Sequence, residues 1–224
     1  MIVNYREKRK RAEAIAADIV ARGGSASVVG ADLADPESVR GLADGIAAEF
    51  GRLDVVVLNA SGGLERGAAP GYAMALNRDA QVRLVRAVLP LLPVNGRIVF
   101  VTSHQAHFFG RKPVPAEYVP IAASKRAGED ALRAMIPELG ARGVGLRVVS
   151  GDMIEGTIIV RLLGRRDPGA VAARKGFGEL PSVAEFARAV ADAATEAGES
   201  GRTVYVGGAD YLDAARLLPG DAGV

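Results

Sequence analysis

The 224-residue chain has no cysteine, no tryptophan and only two histidines. Without thiols it can build no disulfide framework, thiolate zinc site or cysteine nucleophile. Aromatic residues are 5% of the chain, too few for a platform on which single-stranded bases would stack. Charge of one sign is also scarce. Lys plus Arg is 28 against 26 for Asp plus Glu, a net charge of +2, which gives no broad field for nucleic acid. Apolar runs are broken by charge or proline before they reach membrane-spanning length, and the opening MIVNYREKRKR is too briefly apolar for a secretory signal. The expectation is a soluble cytoplasmic protein with neither nucleic acid nor membrane as a partner. At 49% apolar and 24% charged, the chain has a folding composition and a length that suits one domain over residues 1–224.

What is present is a rhythm. Short β-branched runs at Ile2–Tyr5, Ala26–Gly30, Asp54–Asn59, Arg97–Thr102, Gly145–Val149 and Thr203–Val206 alternate with helix-forming stretches near 7–22, 36–50, 73–92, 120–141 and 182–198. Asp35-Pro36 and Ser182 supply helix starts, while Gly23-Gly24, Gly51 and Gly143 supply stops. VVVLN and RIVFVTS are nearly continuous in apolar residues, which predicts strands buried on both faces. The fold class expected is α/β, a doubly wound parallel sheet with helices on both faces (Rossmann-like). Ligands of such sheets bind at the carboxyl ends of the strands.

The residues at those ends each have a functional and a plain structural reading. Arg6 follows the first strand; in dinucleotide folds a basic residue there suits a 2′-phosphate, whereas Lys8 to Arg11 read as a solvated helix face. Asp32 is either an acceptor for an adenine amino group or a helix-approach residue. Leu58-Asn59-Ala60-Ser61-Gly62-Gly63 is small enough to let backbone approach a ligand, as any tight turn would be. Ser103 could bond a substrate carbonyl or cap a turn. His104 and His107 have no clear third ligand for a metal, so no metal site is expected; a shielded role is the plainer alternative to proton donation.

Taken in order and spacing, these segments resemble the short-chain dehydrogenase/reductase family over nearly the whole chain. The carriers are Asp32-Leu33, Asp54 through Gly62, Asn77, Val101-Thr102-Ser103, Ala122-Ala123-Ser124-Lys125, Ser150-Gly151 with Thr157, and Val204 to Gly208. The resemblance implies hydride transfer between a nicotinamide and a carbonyl or secondary alcohol. Ser103 would polarise the carbonyl, Asn77 would order a proton-relay water, and Lys125 would hold the nicotinamide ribose and lower a tyrosine pKa. Asn59, Ala60, Ser61, Gly62 and Thr157 would join Arg6 and Asp32 around the cofactor, with Arg6 favouring NADP over NAD. It further implies a homodimer or homotetramer through residues 73–92 and 120–141, and a substrate lid over 152–181. In that lid Ile154, Ile158, Ile159, Val160, Leu162 and Leu163 are apolar, and Arg161, Arg165 and Arg166 could meet an anion.

Two departures stand out. The family tyrosine precedes its lysine by four residues, where this chain has Ile121; the nearest phenol is Tyr118, seven residues ahead of Lys125 and expected in a loop before the helix. The stretch HQAHFFGRKPVPAE before Tyr118 is longer than usual and either re-routes the chain or forms an interaction loop. Second, no Gly-rich turn follows any early strand, and Met1 opens in what resembles the second family strand. The absent strand would be central, and its loss would leave unpaired backbone on two neighbours. A natural start upstream of Met1 is the expectation. The alternative to an enzyme is a member of the same fold that binds nucleotide or forms oligomers after losing its acid.

Overall fold

The computed structural model describes residues 1–63, 67, 69–157, 160, 161, 164, 165, 168–208 and 212. The first half contains β1 (Ile2–Tyr5), α1 (Arg9–Ala21), β2 (Ser27–Gly30), α2 (Pro36–Phe50), β3 (Val55–Leu58), α3 (Tyr72–Met74), a π turn (Ala75–Asp79) and α4 (Ala80–Val88). The second contains β4 (Arg97–Ser103), α5 (His104–His107), α6 (Val119–Ala134), α7 (Ile136–Ala141), β5 (Gly145–Gly151), α8 (Pro168–Lys175), α9 (Val183–Thr195) and β6 (Thr203–Val206). All six expected strands form.

Helix boundaries follow the local chemistry. Asp35 caps α2 by accepting from the Glu37 and Ser38 amides at 3.2 Å, and Gly51 ends that helix in the left-handed region at φ 69°. Ser182 and Glu185 make a reciprocal capping box on α9. Two long helices expected from the pattern are interrupted. The stretch 120–141 divides at Met135 into α6 and α7, because Pro137 has no amide to continue the ladder. The stretch 73–92 passes through the π turn and ends in a 3-10 turn at Leu89–Leu91.

The strands are all parallel but form two sheets, β2-β1 and β3-β4-β5-β6. The all-parallel α/β architecture is the expected one. The division falls between β1 and β3, where the resemblance leaves out a strand. One core still serves both sheets: α2 (Val39, Leu42, Ile46), α4 (Val85, Val88), β3 (Val56, Leu58) and β4 (Ile98, Phe100) share a cluster that Ile2 and Val29 join. A second cluster, with Val99, Val149 and Ala193 against Phe186 and Val190, covers the other face of β4 and β5. β4 is thus buried on both faces, as expected, and β5 is too. β3 is not: Val56 and Leu58 are buried, yet Val57 is 44% exposed.

The π turn and α6 meet at unusually close range. A Cβ on Gly128 would lie 2.1 Å from the Asn77 carbonyl oxygen. Gly45, on the exposed part of α2, has nothing within 4 Å. In denaturant titrations Gly128→Ala is expected to lower stability by about 1–3 kcal/mol through overpacking. Gly45→Ala is expected to raise it by about 0.5–1 kcal/mol. Equal midpoints for the two variants would contradict this helix contact.

Candidate active site

β4 carries Ser103 to the carboxyl end of the larger sheet, at the last position of the strand. Ser103 Oγ caps α5 by accepting from the Ala106 amide at 3.4 Å and lies 3.3 Å from the Tyr118 hydroxyl. Tyr118 stands at the end of a 3-10 turn, Ala116–Tyr118, and is the N-cap of α6. The expected loop position is thus a turn fused to the helix. Burial pushes the Tyr118 phenol above its ordinary value, and the hydrogen bond with Ser103 pulls it part of the way back.

The long stretch after Ser103 is folded into the protein. Phe108 stacks on Tyr205 of β6 at 5.9 Å and meets His107 edge-on at 4.8 Å. His107 Nδ1 is 2.9 Å from both oxygens of the fully buried Glu129 on α6, and its Nε2 is 3.0 Å from the Tyr205 hydroxyl. Arg133 Nε donates to Glu129 at 2.8 Å. Burial opposes ionisation of Glu129, but the bonds and charges of His107 and Arg133 outweigh it and hold the carboxyl below its usual range. His104 is buried too. Its Nε2 donates to the Gly207 carbonyl at 2.9 Å, which leaves Nδ1 to accept from the Ser150 hydroxyl at 2.7 Å in the neutral ring. Burial lowers the His104 pKa and favours that neutral form. Both histidines therefore take the shielded role. Among the described residues no group of three or more His, Asp or Glu could hold a metal ion.

Other expected site residues are engaged differently from the expectation. Asn77, in the π turn, donates to the Gly62 carbonyl and to Ser124 Oγ, both at 2.9 Å, and accepts from the Gly62 amide at 3.2 Å. Its amide is a clamp between the β3 end and α6. Ile121, in place of the family phenol, is 3% exposed, and the point where a Cβ on Gly63 would sit lies 2.6 Å from its Cδ1. It is a packing residue against the glycine turn. Lys125 is two helical turns beyond Tyr118, about 10 Å along the helix axis. Only Ser103 offsets the effect of burial on Tyr118. Burial alone brings Lys125 from 10.5 down to about 8.

Asp32 Oδ1 accepts from the Ala34 amide at 2.9 Å, so the carboxylate shapes the approach to α2. Thr157 Oγ1 donates to the Ile154 carbonyl at 2.8 Å and accepts from the Val160 amide at 3.4 Å. Arg6 donates to the Tyr72 hydroxyl and sits 5.9 Å from that ring's centroid, with 41% of its side chain exposed. Asn59, Ala60 and Ser61 are exposed at the end of β3. No glycine-rich turn opening a helix, the usual cradle for a pyrophosphate, is found among the described residues.

Helix α8, which the sequence pattern did not reveal, is fastened to the end of β5 by a buried Arg174–Asp152 pair and by Lys175–Glu155 at 2.8 Å. Arg161 and Arg165 are exposed, while Ile158, Ile159, Leu162, Leu163 and Arg166 lie outside the described residues. Asp152 and Glu129 were not anticipated as site-building groups; the four-residue spacing of Glu129 and Arg133 was the one available signal for the latter.

A parallel sheet flanked by helices, with a Ser–Tyr pair at the carboxyl end of a central strand, defines a Rossmann-like scaffold. A profile described as short chain dehydrogenase matches residues 1–165, and the chain belongs to that family. It is 29% identical over 161 residues to a versicolorin reductase of Emericella nidulans, covering 69% of this chain and 60% of that protein. It is 31% identical over 166 residues to 1-deoxy-11-beta-hydroxypentalenate dehydrogenase of Streptomyces exfoliatus, covering 69% and 58%. The chain thus spans about 60% of the length of these curated relatives. Among solved structures, the angucycline C-6 ketoreductase LanV with bound NADP is 26% identical over 92% of this chain and 83% of that one, with TM-score 0.75. A short chain dehydrogenase from Burkholderia cenocepacia in complex with NADP is 25% identical, covers 93% and 86%, and also has TM-score 0.75.

The depressed Lys125 value has a stability signature. Between pH 8 and 10.5 the unfolded chain holds a proton on Lys125 that the folded chain has released. Stability from this group therefore rises as pH increases across that window. In thermal melts from pH 7.5 to 10, the wild type is expected to gain stability relative to Lys125→Met. Parallel curves for the two proteins would contradict the shift.

Proposed function

We propose that the protein is an NADPH-dependent reductase of a small-molecule ketone or aldehyde, with NADH as the second-choice cofactor. The observation that carries this is the Ser103–Tyr118 pair at the carboxyl end of β4, 3.3 Å apart. The family membership and the NADP named for LanV and the Burkholderia protein support it. A bound reduced nicotinamide supplies the hydride. The chain's own part is to bind, orient and protonate. Ser103 Oγ donates a hydrogen bond to the carbonyl oxygen, and the Tyr118 hydroxyl delivers the proton to it. Lys125 holds the nicotinamide ribose, Asn77 fixes the Gly62 turn against α6, and Arg6 takes the 2′-phosphate. Asp32, Asn59, Ala60, Ser61, Gly62 and Thr157 complete the cofactor side.

A Tyr118 held above its ordinary value remains protonated at neutral pH, the form that can donate to a carbonyl oxygen. Residues 152–181 form the substrate lid, with α8 as its anchored end. The protein works in the cytoplasm as a homodimer or homotetramer joined through 73–92 and 120–141. Among the described residues no helix is long and apolar enough to cross a membrane.

A second reading rests on Ile121 in the family tyrosine's place and on the lack of a pyrophosphate cradle among the described residues. It is a nucleotide-binding or oligomer-forming member of the fold without turnover. Fluorescence titration with NADPH and NADH, followed by assays on a carbonyl panel, separates the two. Turnover reduced about 10²- to 10⁴-fold by Tyr118→Phe is the expected result; cofactor binding with no turnover would favour the second reading. Arg6→Ala is expected to raise KM for NADPH and leave that for NADH unchanged.

A further inference from the structure

At the opposite end of the larger sheet, far from Ser103, two arginines meet without a carboxylate between them. Arg97 opens β4, and Arg147 is the third residue of β5. Both approach one point: a Cβ on Gly145 would lie 3.7 Å from Arg97 Nε and 4.0 Å from Arg147 Nη1. Arg147 is only 4% exposed. Its donors go to the backbone carbonyls of Leu146, Gly198 and Glu199 and to no acid. Arg97 Nη1 donates to the Glu196 carbonyl at 2.5 Å, while its buried Nε has no partner. Neither arginine forms an ion pair with any described residue.

Two cavities flank the Arg147 guanidinium and differ in charge. One, of about 170 Å³, is also lined by Arg202, Asp192 and Glu196, so its cations are answered by carboxylates. The other, of about 180 Å³, is lined by Arg97 and Arg147 with Asn95, Ser200 and glycines, and contains no acid. Ser200 Oγ already accepts from the Leu146 amide at 3.0 Å, which leaves its hydroxyl proton to donate. Burying a cation is costly; burial, then the charges of Arg97 and Arg202, depress Arg147, and the charge of Glu199 offsets them only in part.

We propose that the cavity between Arg97, Arg147 and Ser200 is a binding site for a phosphate-type oxyanion, separate from the cofactor and substrate sites. The anion would take the idle Arg97 Nε, the Ser200 hydroxyl and the arginine charge, in a pocket whose glycine walls leave room for its oxygens.

The test is thermal melting of the full chain in inorganic phosphate against sodium chloride at equal ionic strength. Arg6→Ala is included to remove any contribution from the proposed 2′-phosphate site. Wild type and Arg6→Ala are both expected to melt about 2–4 °C higher once phosphate exceeds its Kd several-fold. Arg97→Gln and Gly145→Ala should lose that rise while keeping their melting points in chloride. Gly145→Ala is suited to this because its methyl meets both guanidinium groups only at ordinary contact distance. A phosphate monoester titrated in parallel separates a free anion from a phosphoryl group on a metabolite, and a rise with either supports the site. No rise, or an equal rise in all four proteins, would overturn it.

Discussion

A single buried carboxylate holds together the parts from which the site is made. Glu129 is fully buried on α6, the helix that Tyr118 caps and that carries Lys125. It binds His107 from the inserted stretch and Arg133 from its own helix. Arg133 continues to the Gly201 carbonyl at 2.6 Å and Thr203 Oγ1 at 2.7 Å, and His107 continues to Tyr205. A buried ion that loses one partner costs several kcal/mol, so these elements cannot drift apart cheaply. The chain that leaves Ser103 is thereby pinned to α6 and β6 before it turns back. That return path brings the Tyr118 hydroxyl to Ser103, although it stands three residues ahead of the usual place.

The same constraint explains why Lys125 and Tyr118 part company. On a helix only residues three or four apart share a face and touch. Ile121 holds that place and is used to pack the Gly63 turn. Supplied from the N-cap instead, the phenol is tuned by burial and by Ser103. It stays protonated at neutral pH, as the proposed reduction requires. The division of the strands into two sheets bears on the other half of the site. Arg6 and Asp32 lie at the ends of the small sheet, Asn59 to Gly62 and Ser103 at the ends of the large one. They are kept in one body by the core that α2 and α4 share.

Much of this was legible in the residues. Strand positions followed from β-branched runs, and caps such as Asp35 and Ser182 marked helix starts, because both signals are local. Ser103 was placed by the end of RIVFVTS, and Ile121 by counting back from Lys125. What could not be read depended on contacts between distant segments. The pairing of Ser103 with Tyr118 relies on how a fifteen-residue excursion folds. The roles of His104 and His107 rely on Ser150, Glu129 and Tyr205, which are 22 to 98 residues away. The exposed face of Val57 reflects which neighbours β3 has, a property of the sheet and not of the strand. Likewise Asp152 gained its partner only when α8 formed.

The most direct measurement is the fate of the hydride. The protein would be incubated with NADPH carrying deuterium at the nicotinamide C4 and with a panel of ketones, and the product alcohols examined by mass spectrometry. One deuterium on the carbinol carbon, delivered by wild type and retained but slowed in the variant lacking the Tyr118 hydroxyl, is the expected result. Cofactor oxidation without deuterium in any product, or label transfer at an unchanged rate without that hydroxyl, would contradict the account of the Ser103–Tyr118 site.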